Sequence, residues 1–125
     1  FSVGSYHIGC LTDNNQLYMF GQNQFGQCGY KGIDRCHIGN NITLNSKSII
    51  DIKCGHSLSI IKSNDNQFYG FGWNKNGMLF IDDNIRYAYN PTLIKFEYLY
   101  KITKSQNVII DIVPSYADVF VIQKA

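Results

Sequence analysis

Apolar residues in this chain fall in short runs separated by polar turns. Leu17-Tyr18-Met19-Phe20 and Phe68-Tyr69-Gly70-Phe71 place apolar groups at successive positions, the pattern of a strand covered on both faces. Each follows another apolar run, Phe1 to Thr12 and Leu58 to Ile61, across the turns Asp13-Asn14-Asn15 and Ser63-Asn64-Asp65-Asn66. Asn and Asp close such hairpins because they tolerate left-handed backbone and bond to their own main chain. Ile49-Ile50-Asp51-Ile52 opens the second unit, and short outer strands are predicted at Ile42–Leu44 and Thr92–Phe96.

The stretch from Gln16 to Gly29 returns as Gln67 to Met78, with Phe20-Gly21 and Phe71-Gly72 lying 51 residues apart. A unit this short cannot bury its own apolar face, so repeats of this period stack. Two-sided burial in a small antiparallel sheet points to propeller blades, each packed between the blade before and the blade after. Val108 to Ile112 echoes Ile49 to Ile52, and Val119 to Ile122 begins a third copy. The fold class expected is all-β: four-stranded antiparallel blades of one propeller domain over 1–125. Residues 1–47 supply the first blade portion, 48–106 the second repeat unit and 107–125 the start of a third.

Composition narrows the picture only a little. With 45% hydrophobic and 16% charged residues among 125, a core is available, and a net charge of +2 supplies no field for a phosphate polymer. Nucleic acid is therefore not expected at this segment, and no apolar run is long enough for membrane insertion. The four cysteines are too sparse for a disulfide scaffold, so reduced thiols and an intracellular compartment, nuclear or cytoplasmic, are expected. The absent initiator Met suggests a fragment or a processed chain.

Gly4-Ser5-Tyr6-His7, Leu11-Thr12, the Phe20-Gly21 pair, Asn23 and Gly26-Gln27-Cys28-Gly29 carry a recognisable order, as do Gly55-His56, Phe71-Gly72, Asn74 and Gly77. Together they resemble the repeat family named after the regulator of chromosome condensation. The family pattern is Gly-x-x-His, Ala-Leu-Thr, an aromatic-Gly pair, then Asn-x-x-Gly-Gln-Leu-Gly. Phe20 and Phe71 stand where the family has Trp, Gly55 is followed at once by His56, and Pro114 to Ala117 replaces the third Gly-x-x-His. The resemblance implies a seven-bladed propeller of which this chain supplies about two blades. The remainder would come from a longer polypeptide or from a partner.

His7 and His56 are expected to hold blade backbone rather than to catalyse, since neither has a paired nucleophile. Cys28, Cys36 and His37 lack a paired Cys-x-x-Cys, and Asp51, Asp111 and Asp82-Asp83 are scattered. No catalytic, metal or cofactor site is assigned. Arg86, Tyr87, Tyr89, Tyr98 and Tyr100 combine aromatic and basic character and form the candidate partner contact. The resemblance implies a protein-interaction propeller, with guanine-nucleotide exchange on a Ran-type small GTPase as the family activity. The alternative is a non-catalytic scaffold among the subunits of a larger assembly.

Overall fold

A computed structural model describes residues 1–75, 79, 81, 82 and 84–95 in full and the backbone of two strands at 108–114 and 119–124. Strands β1 (Ser2–Val3), β2 (His7–Leu11), β3 (Leu17–Gln22) and β4 (Arg35–Ile42) form one antiparallel sheet in chain order. A second sheet repeats this with β5 (Ile49–Cys54), β6 (Leu58–Ser63), β7 (Phe68–Trp73) and β8 (Tyr87–Leu93). An antiparallel pair, β9 (Val108–Pro114) and β10 (Val119–Lys124), follows, and β9 lies against β5 and β6. The described residues contain no α-helix. The architecture is that of two propeller blades and an adjoining hairpin.

Both inner hairpins turn where the polar clusters predict. Asn15 and Asn66 take positive φ of 63°, and Thr12 and Ser63 donate their N–H groups to Gln16 and Gln67. The register also aligns the repeats: His7 pairs with Gly21, and Leu58 pairs with Gly72. Gly4 N–H bonds His7 C=O as Gly55 N–H bonds Leu58 C=O. Leu58 therefore stands in the place of His7, and His56 in that of Ser5, so the histidines at 7 and 56 are not counterparts. Gly21 and Gly72 share φ values of 107° and 112°, where an added Cβ would come within 2.5 Å of Tyr6 O and Ser57 O.

The outer strands begin earlier than the sequence suggests, at Arg35 and Tyr87 instead of Ile42 and Thr92. Their residues are mostly polar or partly exposed, and only Cys36 and Ile42 of β4 and Ala88 of β8 are buried. Backbone pairing to β3 and β7 holds them, with a bulge near Gly21 and another near Gly72. An apolar run is not needed for that, so none marks them.

Burial differs between the blades for a physical reason. In β6 the residues Leu58 to Ile61 are all buried, because the first blade covers one face and β9 lies on the other side. In β3 burial alternates: Leu17 and Met19 are inside, whereas Tyr18 is exposed and Phe20 only half-buried. The expectation of two-sided cover thus holds for the second blade and not for the first. Val3, Ile8 and Tyr18 remain open to solvent, with no described element over them.

The seam between blades is close because one position lacks a side chain. A Cβ at Gly9 would sit 2.7 Å from Ile52 Cγ1 and 3.0 Å from the Met19 sulfur. Met19, Ile52, Ile61, Phe68 and Phe71 fill the core around it, each such side chain contributing about 1.5–3 kcal/mol by leaving water. At one end of the seam His7, 2% exposed, donates from Nε2 to Leu58 C=O at 3.1 Å, with Ser59 Oγ 2.9 Å away. Ser59 in turn donates to Gln27 C=O at 2.7 Å. Because a carbonyl only accepts, the ring proton resides on Nε2, leaving buried Nδ1 bare and without a protein partner.

Burial pulls the His7 pKa from 6.5 down to about 4, with the Leu58 bond opposing and the charge of His56 adding to the drop. The unfolded chain therefore binds a proton between those values that the folded chain refuses. Stability from this group is complete above pH 6.5 and declines as pH falls toward 4, by about 3 kcal/mol in all. Thermal unfolding followed by circular dichroism from pH 7.5 to 4.5 should show that decline, and His7→Gln should flatten it. An unchanged slope in the variant would assign the acid sensitivity to other groups.

Candidate functional site

Loop 23–34 leaves β3 folded around the buried Asn23, and the buried Asn74, just after β7, makes matching bonds to described residues further along the chain. Asn23 accepts from Cys28 N–H at 2.9 Å through Oδ1 and donates from Nδ2 to the carbonyls of Tyr30 and Ile33. Asn74 accepts from Leu79 N–H at 3.0 Å and donates to the carbonyls of Asp82 and Ile85. Gln27 Oε1 accepts from Phe25 N–H at 2.9 Å. These bonds satisfy backbone groups that a loop would otherwise leave to water.

The first loop reaches across the seam. At Gly26, φ is 85° and a Cβ would lie 2.7 Å from Ala88 O, so the loop rests directly on β8. Phe25 is thereby laid against Trp73, ring centroids 4.9 Å apart and planes at 17°, and against Tyr87 at 5.7 Å and 22°. Tyr89 continues the group 6.3 Å beyond Tyr87. All four rings are half-buried. Exposed cations stand over them: Lys75 Nζ is 5.1 Å from the Trp73 centroid, Lys31 Nζ 5.6 Å from that of Tyr89, and Arg86 Cζ 6.0 Å from that of Tyr87. Cation–π attraction of this kind contributes about 0.5–1 kcal/mol at exposed sites and orients the cation. The result is an aromatic ledge with a cationic rim, built from both blades.

Of the residues singled out in the sequence, Arg86, Tyr87 and Tyr89 meet on this ledge, on the first strand residues of β8 and just before it. Tyr98, Tyr100 and Gly77 lie outside the described residues. Phe25, Trp73, Lys31 and Lys75 escape the sequence reading. The repeat alignment did carry a signal for two of them: Phe25 corresponds to Asn76 and Trp73 to Gln22. An aromatic ring at a position that is polar in the sister repeat marks a departure from what the blade itself requires.

The remaining polar candidates serve the backbone or one another. His56 Nδ1 is 2.8 Å from Ser57 Oγ, and its ring meets Tyr6 edge-on at 5.8 Å. Asp51 accepts from Ile52 N–H and Asp82 from Asn84 N–H, both at 2.9 Å. The four cysteines are free thiols. Burial pushes Cys28 far above the ordinary thiol range, with neighbouring Cys36 adding to the shift, so it is a poor nucleophile and a poor ligand. Among the described residues no three His, Cys, Asp or Glu side chains are placed to hold a metal ion.

Residues 14–61 match the model of the Regulator of chromosome condensation (RCC1) repeat. The X-linked retinitis pigmentosa GTPase regulator of Canis lupus familiaris is 28% identical over 91 residues, 66% of this chain and 8% of that protein. The RCC1-like G exchanging factor-like protein of Homo sapiens is 26% identical over 81 residues, 61% and 18% of the two chains. The ultraviolet-B receptor UVR8 of Arabidopsis thaliana is 27% identical over 85 residues, 67% and 19%. The chain thus spans less than a fifth of each of these relatives.

Solved structures agree on the fold. Human WBSCR16 superposes with a TM-score of 0.77 at 17% identity, covering 97% of this chain and 29% of that one. Prp20p from Saccharomyces cerevisiae, in a structure titled with its binding properties to Gsp1p and histones, gives 0.68 at 22%, covering 98% and 30%. At these identities the likeness is one of blade architecture.

Removing the central ring tests whether the ledge is a packed unit. Phe25→Ala should cost about 2 kcal/mol, from lost area and from two ring contacts. It should also make the chain's single tryptophan, Trp73, more accessible to iodide quenching. Gln24→Ala, at the exposed neighbouring position, should alter neither quenching nor melting temperature. Equal quenching in both variants would show that Phe25 does not shield Trp73.

Proposed function

We propose that this chain, whose residues 14–61 match the Regulator of chromosome condensation (RCC1) repeat, is a protein-binding propeller segment acting on a Ran-type small GTPase as a guanine-nucleotide exchange factor. The observation that carries the binding role is the ledge: half-buried rings and oriented cations from both blades, on loops held by buried asparagines. Aromatic and arginine side chains on rigid supports are what protein interfaces enrich. The Prp20p structure, described together with that protein's binding properties to Gsp1p and histones, supports a protein as the partner class.

Exchange asks for no covalent chemistry. A propeller that binds the nucleotide-free GTPase more tightly than the GDP-bound form shifts the equilibrium toward release by that difference in affinity. Rigid loops suit the task, since a surface that deformed to follow the partner would bind both states alike. No described residue has to act as acid, base or nucleophile.

A second reading is a scaffold without exchange activity. The relatives favour it: a GTPase regulator, an exchanging factor-like protein and an ultraviolet-B receptor carry similar repeats under unlike names, so the repeat itself does not prescribe exchange.

Release of labelled GDP from a Ran-type GTPase separates the two. Catalytic amounts of the full chain should accelerate release over the intrinsic rate. Stoichiometric binding without acceleration would establish the scaffold reading, and neither binding nor acceleration by folded protein would overturn the choice of partner.

A further inference from the structure

We propose that the ledge at the blade seam docks an acidic protein segment, its carboxylates received by Lys31, Lys75 and Arg86. The proposal rests on the protein-binding reading above and adds the partner's chemistry. Three exposed cations gather here, and no described carboxylate forms an ion pair with any of them. The ion pairs among described residues join Lys47 to Asp65 and Lys53 to Asp51 instead. Asp34 and Asp82 lie on the same two loops. The Asp82 carboxylate is turned to Asn84 N–H, and Asp34 uses its main-chain carbonyl to hold Asn23 N–H at 2.7 Å.

Ring geometry separates an acidic protein from a nucleic acid. Base stacking requires a free aromatic face. Here Phe25 covers Trp73 and Tyr87 at 4.9 and 5.7 Å, and Lys75, Arg86 and Lys31 stand over the rings of Trp73, Tyr87 and Tyr89. The half-buried rings thus have much of their face area engaged. Ring edges carry the positive end of the aromatic quadrupole, so edges and cations together favour carboxylate oxygens. Holding the cations over rings reduces the side-chain freedom lost on binding. With a chain charge of only +2, attraction is local to this rim and not a field suited to a phosphate backbone.

Trp73 sits in the ledge and is the chain's one tryptophan, so its fluorescence reports occupancy directly. The full chain would be titrated with an oligoglutamate peptide and, separately, with an oligothymidylate of equal charge. The peptide should change Trp73 emission saturably, and added salt should weaken its binding. The combined variant Lys31→Gln, Lys75→Gln, Arg86→Gln should bind about tenfold more weakly, as expected for the loss of three exposed charge contacts. Lys31→Arg, Lys75→Arg, Arg86→Lys keeps the charges and should restore binding, while unchanged melting temperatures would show that both variants fold.

No saturable change with the peptide, equal affinity in the glutamine variant, or tighter binding of the oligothymidylate would overturn the proposal. Binding of the GTPase is read separately. A glutamine variant that loses the peptide and keeps the GTPase would leave the partner reading intact on another surface, and unaltered protein that binds the peptide but no GTPase would leave the ledge standing without it.

Discussion

A four-stranded sheet has two faces and cannot cover either alone, and the seam between the two blades is the solution on which the rest of this structure depends. Gly9 lets β2 approach β5 to within contact of Ile52, and that proximity places the His7 imidazole against Leu58 and Ser59. Ser59 then reaches back to Gln27 in the loop that carries Phe25. Moving the blades apart would leave the Leu58 carbonyl, the Ser59 hydroxyl and the Gln27 carbonyl without these partners, which is costly. The hydrogen-bond chain therefore selects one relative position of the blades and, through Gln27, one position of the loop.

Loop shape and seam geometry are consequently the same problem. Asn23 folds its loop from within, but only the approach of Gly26 to β8 turns that shape into a ledge. Moving the blades apart by the width of a methyl group would relieve the glycine and separate Phe25 from Trp73 and Tyr87. The ledge thus depends on packing two strands away. Surface loops of rigid domains commonly carry recognition, and here the rigidity can be traced to named bonds.

Much of this was legible in the chain before any coordinates. Hairpins at Asn15 and Asn66, the pairing glycines at 21 and 72, and the blade architecture all follow from turn chemistry and a 51-residue period. Outer strands were not, because β4 and β8 are held by backbone ladders and show little apolar periodicity. His56 is adjacent to Gly55 in sequence, and the turn geometry assigns Leu58 to the place of His7. The ledge was half legible. Arg86, Tyr87 and Tyr89 are contiguous and advertise themselves, whereas Phe25 and Lys31 join them only through the seam, a contact that local sequence cannot express.

Comparing the repeats with each other sorts structural from particular residues. Positions that must repeat are those that make a blade: Asn23 and Asn74 clamp loops by the same three bonds, and Gly21 and Gly72 take the same left-handed backbone. Three positions that differ lie where the blades meet. The second repeat has Leu58 and Asn76 at the positions of His7 and Phe25, and the first repeat has Gln22 at the position of Trp73. A blade needs none of these three to fold as a sheet. They shape how one blade meets the next and which side chains their junction presents.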